Sequence, residues 1–179
     1  MNEGENVFII NSIPVPVCKI AREKSSKICR GDFETAPDKG YSAVNKAYYY
    51  GYKLHMITSV NGVFHAMDLS KASVHDSCYL NDVKHSGLNN CILVGDKGYL
   101  SKTHQIDLFS LAKIELKTPL RSNQENKKVI APVFRKVRKR IETLFAQLCD
   151  QFMLKKNYAK SVAGLSVRIV NKIAAVGIS

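Results

Sequence analysis

With 179 residues, 45% of them hydrophobic, the chain can form one domain whose core buries roughly 70% of the surface that the unfolded chain exposes. Its 27 Lys and Arg outnumber 15 Asp and Glu, and the resulting +12 points to a polyanionic partner. No apolar stretch approaches the ~20 residues that span a bilayer, and the opening "MNEGEN" has neither a basic start nor an apolar run, so neither a membrane protein nor a secreted one is expected, and a cytoplasmic location is.

The first element, "VFII" from Val7, reads as a fully apolar strand that ends near Ser12, because Pro14 and Pro16 cannot donate to a ladder. From Lys19 to Lys46 the composition turns polar, with Gly31, Pro37 and Gly40, and predicts an exposed irregular excursion. "AYYYGYKLHMITSVNGVFHAMDLS" then supplies two β-rich runs around Asn61-Gly62, the strongest short hairpin signal. Tyr48, Tyr50 and Tyr52 share one face of the first run, where core or cross-strand packing is expected ahead of base stacking. Val74, Cys78, Tyr79 and Val83 fall at helical spacing, with Gly87 as a stop, and predict a short helix.

"CILVGDKGYLS" is an apolar strand ending in Gly-Asp-Lys-Gly, "KTHQIDLFSLA" reads as a helix and "KIELKTP" as another strand, which together predict a parallel βαβ unit and an α/β class. "LRSNQENKKVIAP" is too polar to pack. From Pro132 the apolar residues Val133, Val137, Ile141, Leu144, Phe145, Leu148 and Phe152 recur every three or four positions, the pattern of a long amphipathic helix. A last helix, Ser161 to Val176, is apolar around most of its circumference and is predicted to be buried. The cysteines, Cys18, Cys29, Cys78, Cys91 and Cys149, are odd in number and form no C-x-x-C pair, so free thiols in a reducing compartment are expected.

The charge is clustered. Between Pro119 and Lys160 eleven Lys or Arg stand against Glu125, Glu142 and Asp150, which is +8 of the total +12. Arg135, Lys136, Arg138, Lys139 and Arg140 crowd one turn and a half of the long helix beside Glu142, and this favours phosphate contact over a merely solvated face. Asp96 closes an apolar strand, at the end where open α/β sheets place ligands, and Gly95 and Gly98 let other groups approach it. Phosphodiester chemistry commonly uses two Mg²⁺ ions about 3.5–4 Å apart, which need carboxylates; two strand-end acids and one on a following helix can converge on them. His75-Asp76 reads as the first turn of a helix, where an Asp meets the helix dipole, and not as an acid-base pair. The five histidines lack metal-ligand spacing, and no zinc site is expected.

"NSIPVPVCKIARE", "YYYGYKLHMITSVNGVFHAMDLSKASVHDSCYL", "VGDKGYLS" and "RKRIETLFAQL" resemble successive blocks of a bacterial insertion-sequence transposase of the DDE type, most like the group numbered nine-eight-two. The resemblance covers nearly the whole chain and implies a ribonuclease H-like mixed sheet flanked by helices, with Mg²⁺ or Mn²⁺ held by an Asp ending the first strand, the Asp of G-D-K-G-Y and the Glu of R-I-E-T. Asp96 and Glu142 match the last two, and the first position is Asn11. Its amide keeps an oxygen that can ligate but removes a charge, so weaker metal binding and impaired catalysis are expected. Asp68 and Asp32 are possible substitutes that read more simply as a turn acid and a surface acid.

In related transposases an Arg four residues before the Glu belongs to the motif, and Arg138 matches it, whereas Arg135 and Cys149 stand where a Tyr and a Lys can accompany it. Relatives carry an additional helical N-terminal region, and this chain resembles the catalytic half alone. The resemblance implies DNA as partner, with a homodimer on paired DNA ends as one arrangement. Two other readings stay open: a DNA-binding remnant without chemistry, and a structural RNA-binding protein that needs only the basic surface.

Overall fold

The computed structural model describes residues 6–119 and 132–178, apart from the side chains of 132–136, 177 and 178; most of the polar stretch that begins at Leu120 lies outside them. The elements are β1 (Val7–Cys18), β2 (Asp38–Ser42), β3 (Ala47–Ser59), β4 (Phe64–Lys71), α1 (Leu80–Val83), β5 (Cys91–Val94), α2 (Lys102–Ala112), β6 (Ile114–Lys117), α3 (Pro132–Asp150) and α4 (Val162–Ile178). Short 3₁₀ turns occupy Ile20–Arg22, Asp76–Tyr79 and Lys97–Tyr99. The strands form one mixed sheet in the order β2-β3-β1-β5-β6, with β4 paired to β3.

By compactness the chain divides into two units. The first comprises Met1–Asn11, His55–Met67 and His75–Thr143. In it β1, β5 and β6 run parallel, with Ile9 opposite Val94 and Cys91 opposite Ile114, and α2 makes the crossover from β5 to β6 as the βαβ pattern predicts. Ile9 and Ile10 are both buried although they point to opposite faces, because a parallel sheet is covered on both sides. Ile10, Ile57, Tyr79, Leu80, Val83, Leu93, Tyr99, Leu108 and Ile114 belong to one core cluster, so the short helix and the βαβ unit share a core. The Asn61-Gly62 turn forms as expected: Gly62 adopts φ +86°, and its N–H donates to the Ser59 carbonyl at 3.0 Å.

The second unit comprises Ser12–Leu54, Asp68–Val74 and Leu144–Ser179. Here β1 continues to Cys18, beyond the predicted end at Ser12. Its two prolines share one side of the strand, and the described ladder to β5 extends only to Ile9, so the missing N–H groups take nothing from that ladder. Ile13 and Val15, which alternate with them, stay buried. The excursion after Lys19 is also more ordered than its composition predicts. Residues Asp38–Ser42 form β2 against β3, Cys29 is buried, the Arg30 guanidinium donates to the Tyr50 hydroxyl at 2.8 and 3.0 Å, and the Tyr52 hydroxyl donates to the Thr35 carbonyl at 2.7 Å. A few long side chains, not an apolar run, anchor this segment. Tyr50 and Tyr52 are buried as expected, whereas Tyr48 is exposed and packs edge-on against its cross-strand partner Tyr41 at 5.1 Å.

Helix α3 buries Ile141, Leu144, Phe145 and Leu148, the periodic stripe read from sequence. Helix α4 is not buried all round: Leu165, Ile169 and Ile173 are, but Val167 and Val170 face outward. Its apolar character overstates its burial because small and β-branched residues are tolerated singly at a surface. All five cysteines are free; burial pushes the Cys29 and Cys149 thiols up, and that of Cys91 to about 11. Among the described residues no helix is long and apolar enough to cross a membrane.

Candidate active site

Asn11 and Asp96 stand at matching heights on neighbouring parallel strands, each two residues past the paired Ile9 and Val94. Both are half-buried. Alternate residues of a strand share a face, so the two positions emerge on the same side, Asp96 just past the carboxyl end of β5 and Asn11 within β1 where its described ladder to β5 ends, and the carboxyl end of a strand is the usual place for ligands in an open α/β sheet. Asp96 is fixed there by the turn that follows: its Oδ1 accepts from the Gly98 N–H at 2.8 Å, which caps the 3₁₀ turn Lys97–Tyr99. Gly95 permits the close approach, since a Cβ there would lie 3.1 Å from Ile10 Cγ2 and 3.2 Å from Tyr99 Cβ.

Gly98 brings in a residue whose sequence pattern suggests only a helix start. A Cβ at Gly98 would fall 2.6 Å from Asp76 Oδ2 and 3.0 Å from Asp96 Oδ1. The two carboxylate oxygens therefore lie within the sum of those distances, 5.6 Å, of each other. Asp76 does open a 3₁₀ turn, with His75 as its cap accepting from the Ser77 N–H, but its carboxylate also reaches the Asp96 turn. Both turns are braced by buried His55, whose Nδ1 is hydrogen-bonded to the Tyr99 hydroxyl at 3.0 Å and whose ring stacks on Tyr79 at 4.8 Å between centroids. Neither residue carries a local sequence signal. His55 is a lone His in an apolar strand, and only the tertiary approach of Gly98 reveals Asp76.

Glu142 is held by a different element. It is exposed on α3, its Oε1 lies 3.9 Å from an Arg138 amino nitrogen, and such an i, i+4 contact contributes only about 0.3–0.5 kcal/mol. Among the described residues no three His, Cys, Asp or Glu side chains converge closely enough to enclose an ion, so Glu142 does not complete a cluster with Asp76 and Asp96 in this state. Carboxylate oxygens beside a glycine gap nonetheless suit a hard divalent cation; Mg²⁺ typically takes one or two carboxylates and fills its other positions with water and phosphate oxygens.

The basic helix is not uniform. Lys139 and Arg140 are exposed and Arg138 half-buried, whereas the side chains of Arg135 and Lys136 lie outside the described residues. Arg140 folds over the hairpin turn, donating to the Asn61 carbonyl at 3.3 Å and covering Gly62, whose added Cβ would meet its Nε at 2.6 Å. Of the two possible substitutes for Asn11, Asp32 accepts from the Glu34 N–H and the Thr35 hydroxyl and so closes its own turn, while Asp68 is exposed on β4. The profile of one protein family, described as the transposase DDE domain, matches residues 2–178. No curated protein matches the chain.

Proposed function

The chain belongs to the transposase DDE domain family, and on that premise we propose that it is a catalytic domain for metal-dependent strand cleavage and strand transfer at insertion-sequence ends, slowed by Asn11. The observation that supports this most is the level placement of Asn11 and Asp96 on two neighbouring parallel strands, each two residues past the paired Ile9 and Val94. When bound, Mg²⁺ or Mn²⁺, two ions in an active relative, would activate the attacking oxygen and stabilise the leaving one. Asp96 supplies a carboxylate held rigid by its own turn, Asn11 a neutral amide oxygen, and Glu142 a third ligand once DNA draws α3 toward the strand ends. Arg135, Lys136, Arg138 and Lys139 contact phosphates along the same helix, and Arg140 does so from its seat on the hairpin turn. The work is done in the cytoplasm, with a homodimer holding paired ends.

Asn11 also supports a second reading, a DNA-binding remnant without chemistry, because a neutral ligand weakens a site that must offset two dications. Nicking of supercoiled plasmid with Mn²⁺ separates them. Asn11→Asp should raise nicking by roughly tenfold or more by restoring the carboxylate, and Glu142→Gln on that background should abolish the gain. Salt-sensitive DNA binding with no nicking in either form would instead establish the remnant.

A further inference from the structure

We infer that the exposed face of the β2–β3 hairpin is a stacking platform for the unpaired bases of a DNA single strand. The inference rests on the transposase reading only for the choice of DNA over RNA. Tyr41 and Tyr48 stand opposite each other in the ladder with ring centroids 5.1 Å apart, yet they remain 56% and 60% exposed. The pairing therefore fixes the rings without covering them. Alternation along each strand puts Lys39 on the face of Tyr41, and Tyr50 on the face of Tyr48. Lys39 Nζ lies 5.2 Å from the Tyr48 centroid and the Arg30 guanidinium carbon 5.4 Å from that of Tyr50, so both of these rings carry a cation. The segment that supplies Arg30 repeats the combination: Phe33 is 86% exposed, and Lys71 Nζ lies 5.5 Å from its centroid. Single exposed apolar residues are ordinary at a surface, but facing rings with cations beside them match the two things an unpaired nucleotide offers, a flat π-face and a phosphate. Charge selects the same occupant. From Lys19 to Lys46, seven Lys and Arg oppose four Asp and Glu. Glu23 Oε1 lies 4.0 Å from Lys39 Nζ, a surface ion pair of little strength that a phosphate can replace. A duplex keeps its base faces inside the stack, so this platform selects strands that are not paired.

The test is the fluorescence anisotropy of labelled oligo(dT), and of a labelled duplex of equal length, bound to the full chain in EDTA. The forms compared are the wild type, Tyr48→Ala, Tyr48→Leu, Tyr48→Phe, and Tyr41→Ala combined with Tyr48→Ala. Tyr48→Ala should weaken binding of the single strand by at least about fivefold and the double variant by more, while duplex affinity stays within about twofold. Tyr48→Phe, which keeps the π-face, should bind as the wild type does, and Tyr48→Leu, which keeps apolar bulk without a ring, should be as weak as Tyr48→Ala. Thermal unfolding should stay close to that of the wild type throughout, since both rings are exposed. Equal losses for strand and duplex, unchanged strand affinity in the double variant, or a Tyr48→Leu form that binds like Tyr48→Phe each overturn the platform. Loss of a dimer in the Tyr variants with strand affinity unchanged assigns the hairpin to a second copy of the chain and equally overturns it. Tighter binding of oligo(U) than of oligo(dT) overturns the choice of DNA. None of these results touches the transposase reading, which the nicking assay judges; absence of nicking with ring-dependent strand binding retained removes that reading and leaves the platform.

Discussion

The turns at Asp76 and Asp96 and the basic helix hold their acids in opposite ways. Asp96 and Asp76 are half-buried on turns whose aromatic residues, Tyr99 and Tyr79, are locked into the core by His55. Glu142 is exposed on a helix whose core stripe is elsewhere, and it pairs with Arg138 one turn earlier on the same helix. Packing therefore sets the position of the first two acids before any ligand arrives, whereas the third can be placed by one. On the proposed function, a site assembled in this way would hold part of its metal affinity in the free protein and gain the rest with DNA.

The largest effect should separate the two regions directly. Asp96→Asn should lower Mn²⁺ affinity of the DNA-free chain by at least about tenfold, while Glu142→Gln changes it by less than about threefold, because only the strand-end acid is pre-placed. With DNA present the two variants should become equally defective. Equal losses without DNA would mean that Glu142 already belongs to the site in the free chain.

Stability should divide the same regions. His55→Ala removes a buried ring and strands the Tyr99 hydroxyl, so chemical denaturation should report a loss of about 2–4 kcal/mol. Glu142→Gln should stay within about 0.5 kcal/mol of the wild type, as an exposed i, i+4 partner does. A tolerant His55→Ala would show that the turns are not held through it.

The contrast also marks what was legible in the sequence. The βαβ unit and α3 were readable because their apolar periods change cleanly from strand to helix, and the Asn61-Gly62 turn announces itself by its chemistry. Asp96 was readable because glycines flank it at a strand end. The continuation of β1 through Pro14 and Pro16 was not, since whether a missing N–H matters depends on which strand lies alongside. Nor was the order in the segment after Lys19, where Arg30 and Tyr52 make single long-range bonds that leave no periodic trace. Asp76 and His55 escaped for the same reason: their roles depend on contacts with Gly98 and Tyr99, far along the chain.

A smaller effect distinguishes cations within the helix. Arg140→Ala should cost about 1 kcal/mol of stability by freeing the Asn61 carbonyl, whereas Arg138→Ala combined with Lys139→Ala should leave stability nearly unchanged and flatten the salt dependence of DNA binding. Every phosphate that the double variant no longer neutralises should lower the log-log slope by roughly 0.9. An unchanged slope would remove these two residues from the DNA face.

The central claim is that the position on β1 occupied by Asn11 belongs to a metal site. Calorimetric titration of Mn²⁺ into the wild type and Asn11→Asp tests it most directly. The account predicts tighter binding by Asn11→Asp, by roughly tenfold, accompanied by lower stability without metal, since the added carboxylate stands level with Asp96 on the neighbouring strand. Equal affinity and equal stability in the two forms would contradict it and leave Asn11 an ordinary residue of β1.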